Sequence, residues 1–153
     1  MFDAQNFMNA VFDEVNSTKL IPCPAGEFNA QIEKAETKSG TISKGDRIGE
    51  PWAQFAVTYV IEDASVKALV GRETVKVIDG IMLDLTPSGG LDMSIDKNLA
   101  FGRLREACGL NVKGEIFSPL MLIGKRVKIS VRHVPGYRDP TSLQAEVSGV
   151  VKA

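Results

Sequence analysis

Between Ile81 and Leu110 the sequence IMLDLTPSGGLDMSIDKNLAFGRLREACGL changes its apolar period once, from two to nearly four, and that change limits what the chain can build. Ile81, Leu83 and Leu85 alternate with Met82 and Asp84, the pattern of a strand with one face inward. Pro87 cannot donate to a central ladder, and Ser88, Gly89 and Gly90 permit a tight reversal. A helix follows. Asp96 is its expected N-cap, because a carboxylate there accepts the orphan amides of the first turn. Ala100, Leu104, Ala107 and Cys108 form one apolar stripe, and Arg103 and Glu106 can pair off it. Gly109 falls where a left-handed C′ residue is needed, and Leu110 can fold back toward Leu104.

The segments around this helix alternate. The first strand is expected over Glu27–Lys38, with Phe28, Ala30 and Ile32 on one face. A glycine-rich loop, residues 39–51, leads to a second strand over Trp52–Asp63 with Phe55, Val57, Tyr59 and Ile61 inward. Ala64–Arg72 is a connector with a turn of helix ending at Gly71, and Glu73–Leu85 is the third strand, with a bulge expected at Asp79-Gly80. After the central helix, Ser118 and Pro119 open a short helix that stops at Gly124. The fourth strand is Arg126–Val134, with Val127, Ile129 and Val131 inward. The fifth is Leu143–Val151, with Leu143, Ala145, Val147 and Val151 on the core parity. Five strands with a helix between the third and fourth is the order of a mainly β, OB-fold-like barrel. A sandwich needs about seven strands, and alternating βαβ units are absent.

Two parts are expected. Residues 1–25 are an N-terminal helical arm and linker, and residues 26–153 are the barrel domain. Phe2–Val15 reads as an amphipathic helix capped by Asp3, with Phe2 stapled onto Phe7 and an apolar face of Phe7, Met8, Val11, Phe12 and Val15. That face either packs on its own barrel or docks on a neighbouring subunit, making a homo-oligomer. Pro22 and Pro24 keep the linker extended. With 153 residues and a net charge of −1, the chain has no global field to draw nucleic acid or acidic membranes, so any such binding must be local. No segment approaches the roughly 20 apolar residues of a membrane span, and nothing at the start resembles a signal peptide. Cys23 and Cys108 match no metal spacing, and a reduced, cytoplasmic setting fits them best.

Catalytic signals are lacking, so the chain is not expected to be an enzyme. The one histidine, His133, has no serine or cysteine partner in prospect and reads as structural. Asp84, Asp92 and Asp96 could approach a divalent cation, but they lack EF-hand spacing and Asp96 has a capping role, so neither a metal nor a cofactor is expected. Phosphate-cradling glycine loops are absent. A binding surface is better supported. OB-folds bind single strands over strands two and three, between the loops joining strands one and two and strands four and five. The first loop carries Lys44 and Arg47, the other Tyr137 and Arg138, and Trp52 opens strand two on the non-core parity. Lys76, Lys128 and Arg132 stand on outward parities. Cations along phosphates and aromatics under bases make sequence-tolerant binding.

At GEFNAQI, GIMLDLTPSGGLD, NLAFGRLREACGL and LIGKRVKISVRH…AEVSGVVKA the chain resembles small bacteriophage proteins of the single-stranded DNA-binding type. The shared elements are Gly26-Glu27-Phe28 in the first strand, Leu104-x-x-Ala107-x-Gly109-Leu110 ending the helix, and Leu122-Ile123-Gly124-Lys125 before the final hairpin. The likeness spans Gly26–Ala153. It implies a single OB-fold that coats transient single-stranded DNA during phage replication or recombination in the host cytoplasm. Replicative members commonly end in an acidic tail that recruits partners. Ser148–Ala153 carries none, so that recruitment is not implied. The competing expectation is a phage structural or assembly protein that uses the barrel as a protein-docking surface.

Overall fold

A computed structural model describes every residue from Met1 to Ala153. It is mainly β. Five strands, β1 (Gly26–Thr41), β2 (Pro51–Ile61), β3 (Lys76–Met82), β4 (Arg126–Pro135) and β5 (Leu143–Lys152), form one antiparallel sheet in the order β3-β2-β1-β4-β5. The long β1 serves two ladders: its first part pairs with β4 and most of its length with β2. No ladder joins β3 to β5, so the sheet keeps two free edges where a closed barrel would have none. The helix α3 (Leu99–Ala107) lies against this gap, where Ala100 and Arg103 share a hollow of about 240 Å³ with residues 79–82 of β3 and 147–150 of β5.

The core is the inward face of the curled sheet. Ala30 and Ile32 of β1, Val57, Tyr59 and Ile61 of β2, and Val127 and Ile129 of β4 are fully buried, as the alternation requires. Leu104 of α3 and Leu122 of the 3₁₀ turn (Pro119–Leu122) close the cluster. The connector between β2 and β3 forms a short helix, α2 (Ala64–Val70), capped by Asp63 and ended by Gly71 at φ 77°. At the end of α3 the Leu110 amide donates to the Arg105 carbonyl (2.8 Å) and the Gly109 amide to the Glu106 carbonyl (3.0 Å), with Gly109 at φ 71°. That is the expected left-handed close.

Several expectations are corrected. The start of α3 is set by Asn98, not Asp96. Both residues stand at positive φ, and Asn98 uses its amide to tie down the preceding loop instead of the helix. The buried stripe is Phe101, Leu104 and Ala107, whereas Ala100 faces solvent and Arg103 and Glu106 form no ion pair. Asp79-Gly80 is no bulge, since β3 runs against β2 in unbroken register. The bulges lie elsewhere. Glu33 is the extra residue of β1 opposite β2, and Ser148 is the extra residue of β5 opposite β4. One inserted residue reverses the parity beyond it. Ala35 therefore packs on the core, and Val150 does so in place of Val151. Leu143, near the hairpin tip, is exposed.

The N-terminal helix is the largest departure. Asp3 accepts the Gln5 and Asn6 amides, and the Phe2 and Phe7 rings meet at 5.4 Å, so cap and staple both form. The helix, α1, nevertheless ends after Ala4–Phe7. An isolated short helix is marginal without a surface to pack on, and Phe7, Met8, Val11, Phe12 and Val15 are all exposed, so this face does not cover its own sheet. The linker behind it is docked. Arg72 donates to the Ile21 carbonyl (2.8 Å), His133 Nε2 donates to the Cys23 carbonyl (2.7 Å), and the Cys23 side chain is buried. His133 thus has the satisfied structural role expected of it. No helix is long and apolar enough to cross a membrane.

Candidate nucleic-acid interface

The outward face of β1, β2 and β3 is assembled by register. Residues directly opposite in an antiparallel pair share a face. Trp52 stands opposite Gly40, Gln54 opposite Lys38 and Met82, and Thr58 opposite Lys34 and Ile78, with Lys76 beside Val60. Trp52 is half-buried because its indole lies against Gly40. A Cβ on Gly40 would fall 2.8 Å from the indole Nε1. Gly80 has the same use, since the Gln54 amide occupies the space a side chain there would take. The result is a shallow strip with Trp52 at one end and exposed Ile78 and Met82 along it, bordered by Lys34, Lys38 and Lys76.

The expected site residues divide into three groups. Arg47 and Trp52 come together beside a groove of about 840 Å³ between the β1–β2 loop and the segment following β3. The β1–β2 loop is tied across its base: the Ile42 amide donates to the Glu50 carbonyl and the Gly49 amide to the Ile42 carbonyl, both at 2.9 Å, and Arg47 donates to the Glu50 carboxylate at 2.6 Å. Lys44 is exposed at its tip and makes no ion pair. Lys76, Lys128 and Arg132 are outward as expected. Lys76 is held by Glu33 (2.8 Å) and Arg132 by Glu146 (2.6 Å), whereas Lys128 has no ion-pair partner. Tyr137 and Arg138 are exposed at the β4–β5 tip and do not join the first group. β4 runs from the Gln31 level of β1 toward Gly26 and beyond, so its hairpin lies at the opposite end of β1 from the β1–β2 loop.

Electrostatics are mixed. Arg47 and Lys97 line the groove beside Trp52, but so do Glu50, Asp84 and Asp92, so its interior does not favour a phosphate. On the sheet face three lysines stand against Glu33 and Glu36, and Lys38 is left without an ion pair. The three aspartates considered for a cation do not gather as a ligand set. Asp84 accepts the Asn98 amide at 2.7 Å, and Asp92 is engaged by the amide and hydroxyl of Ser94, which hold its carboxyl below the usual carboxylate range. Both thiols are unbridged, and burial pushes each up from its ordinary pKa.

Sequence reading missed Lys34, Lys38, Ile78 and Met82 as parts of this face. The lysines join Trp52 only because the Glu33 bulge reverses the parity of β1, and no glycine or proline marks that bulge. The Ile78 and Met82 signal was present: large apolar residues on the outward parity of a strand. No protein-family model matches the chain, and no curated protein is similar to it.

Proposed function

We propose that this protein is an OB-fold protein that binds single-stranded DNA without sequence preference, laying it across the outward face of β1, β2 and β3. The strand order supports an OB-type barrel opened between β3 and β5, with α3 at the opening. The observation that carries the reading is Trp52, set outward over Gly40 on a face it shares with unpaired Lys38 and exposed Ile78 and Met82. A base can stack on the indole while lysines follow the phosphates, and neither contact reads sequence. The resemblance to phage single-stranded DNA-binding proteins implies such an activity in phage replication or recombination, in the host cytoplasm.

The test is titration of Trp52 fluorescence with oligothymidylate. Quenching is expected, and engagement of Lys34, Lys38 and Lys76 predicts a slope near −2 in log affinity against log salt, at about 0.7 per phosphate neutralised on a single strand. Duplex DNA should compete poorly. Absence of quenching and of retention on single strands at low salt ends the proposal. A protein-docking role, as in a phage structural or assembly protein, is favoured by the ion pairs that occupy Lys34, Lys76, Arg126 and Arg132. It predicts the protein in purified particles at fixed stoichiometry.

A further inference from the structure

We propose that the arm Met1–Val15 docks on a second copy of this chain, over the apolar surface presented by Ile116, Leu120, Met121 and Ile123. This is independent of the nucleic-acid reading, because the surface lies off the β1–β2–β3 face.

The arm is apolar and uncovered. The Phe2 and Phe7 rings pack at 5.4 Å and the Phe7 and Phe12 rings at 6.0 Å, and Met8, Val11 and Val15 add to them, yet all six side chains are exposed. The linker that follows is anchored through Ile21 and Cys23, so the chain is fixed to the body up to the point where the arm leaves it. Contiguous exposed apolar surface of this kind marks an interaction site.

The acceptor is rigid and equally bare. Ile116 and Leu120 are 92% and 74% exposed, and Met121 and Ile123 are exposed beside them. Their backbone is not free to fold away. Leu122 is fully buried between them, Gly124 donates to the Ile32 carbonyl at 2.7 Å, Ile32 donates to the Lys125 carbonyl at 2.9 Å, and Phe117 packs edge-on against Phe101. Four apolar side chains are thus held outward on a fixed turn.

Charge matches the two. The arm carries Asp3, Asp13 and Glu14 and no lysine or arginine before Lys19. The acceptor is flanked by Lys113, Lys125 and Glu115, none of which is in an ion pair, so two cations against one carboxylate leave it net positive toward the acidic arm. A chain's own arm does not cover the acceptor: arm and acceptor are both exposed in the single chain, and the arm's root is fixed at the His133 end of β4, whereas the acceptor leads into the Arg126 end, roughly 23 Å away at about 3.3 Å per residue. In the monomer the surface stays bare. Exchange between two copies covers both arms and both acceptors around a two-fold axis.

The experiment is sedimentation equilibrium of the full chain from low to high micromolar concentration, beside Phe7→Asp/Phe12→Asp and Leu120→Lys/Ile123→Lys. All four positions are exposed, so unchanged melting temperatures check the fold of both variants. The full chain should double in mass, and each variant should weaken association at least tenfold. Mixing the two variants should restore part of it, since one keeps the acceptor and the other the arm. A monomer at every concentration, or a dimer indifferent to both pairs of substitutions, overturns the proposal. Oligothymidylate quenching by the monomeric variants separates this outcome from failure of the DNA-binding reading.

Discussion

Asp79→Asn should stabilise the protein near neutral pH and have little effect near pH 4. Asp79 lies on β3 in the inward series between buried Val77 and Ile81. Burial, and then the negative charge of Glu146, push its pKa from 3.8 up to about 6. The groups around it offer little relief. Glu146 of β5 is bound by Arg132, Arg103 of α3 lines the same hollow but makes no ion pair with Asp79, and Tyr59 and Cys108 are uncharged acids whose own pKa values are raised by burial. The native state therefore binds the Asp79 proton more tightly than the unfolded chain does. Ionising it costs stability: the cost is small below 3.8, grows as pH rises toward 6, and is constant above. The displacement corresponds to about 3 kcal/mol at 1.36 kcal/mol per pH unit. Because the side chain keeps part of its contact with water, screening reduces this to on the order of 1–1.5 kcal/mol. For a chain of this size that is roughly 3–5 °C in melting temperature. The readout is the difference in melting temperature between Asp79→Asn and the parent, from pH 4 to pH 7.5. The difference is needed because Asp63, Asp92 and Asp139, held low by hydrogen bonds, lose their stabilising effect as pH falls and move the parent curve the other way. A difference that stays flat to within about 1 °C across that range refutes the reasoning.

Leu104→Ala should cost about 2–5 kcal/mol in chemical denaturation, since a fully buried leucine at the centre of the helix–sheet contact leaves a cavity, and Leu104→Asp should abolish folding. Tyr59→Phe should raise stability by about 1 kcal/mol, because the Tyr59 hydroxyl is buried without a protein hydrogen-bond partner. Gly40→Ala should displace the Trp52 indole, which cannot share its space with a Cβ, and shift tryptophan emission. It should also weaken oligothymidylate binding more than it lowers the melting temperature, and an unchanged emission spectrum would contradict the packing described.

What was legible in the sequence was local chemistry. Asp3 and Phe2 at α1, and Gly109 and Leu110 at the end of α3, act through residues a few positions away, and each appears where a cap or staple requires it. Strand parity was legible up to the first bulge on each strand. Glu33 and Ser148 are ordinary residues, and their bulges answer to the twist of the assembled sheet rather than to any turn signal. Gly80, which suggested a bulge, serves instead to admit the Gln54 amide, a need visible only across the ladder. Phe101 fits the helical period with Leu104 as well as Ala100 does, and its larger apolar area decides which is buried. Helical period alone extended α1 to Val15, but with no surface beneath it the period has nothing to act on.

If the proposed function holds, the Glu33 bulge also decides how far a bound strand can reach. Before it, the outward residues of β1 are Glu27, Asn29 and Gln31, which stand opposite Ser130, Lys128 and Arg126 of β4. Beyond it, Lys34, Lys38 and Gly40 turn outward to stand opposite β2 and Trp52. The cations read from the sequence thus occupy two stretches of one curved surface, and Tyr137 and Arg138 lie past its far end. OB-folds occlude between about 4 and 16 nucleotides. On the proposed reading, the separation of the two loops predicts a footprint toward the lower figure, at the Trp52 end. Trp52→Ala should then reduce oligothymidylate affinity by about 1–3 kcal/mol, the worth of one stacked base, as measured by anisotropy of labelled oligonucleotides of increasing length. Tyr137→Ala and Arg138→Ala should leave that affinity nearly unchanged for short oligonucleotides. If Arg138→Ala weakens binding of the shortest bound oligonucleotide as much as Trp52→Ala does, the two loops converge on the same nucleotides, and the arrangement of β1 cannot be what limits the site.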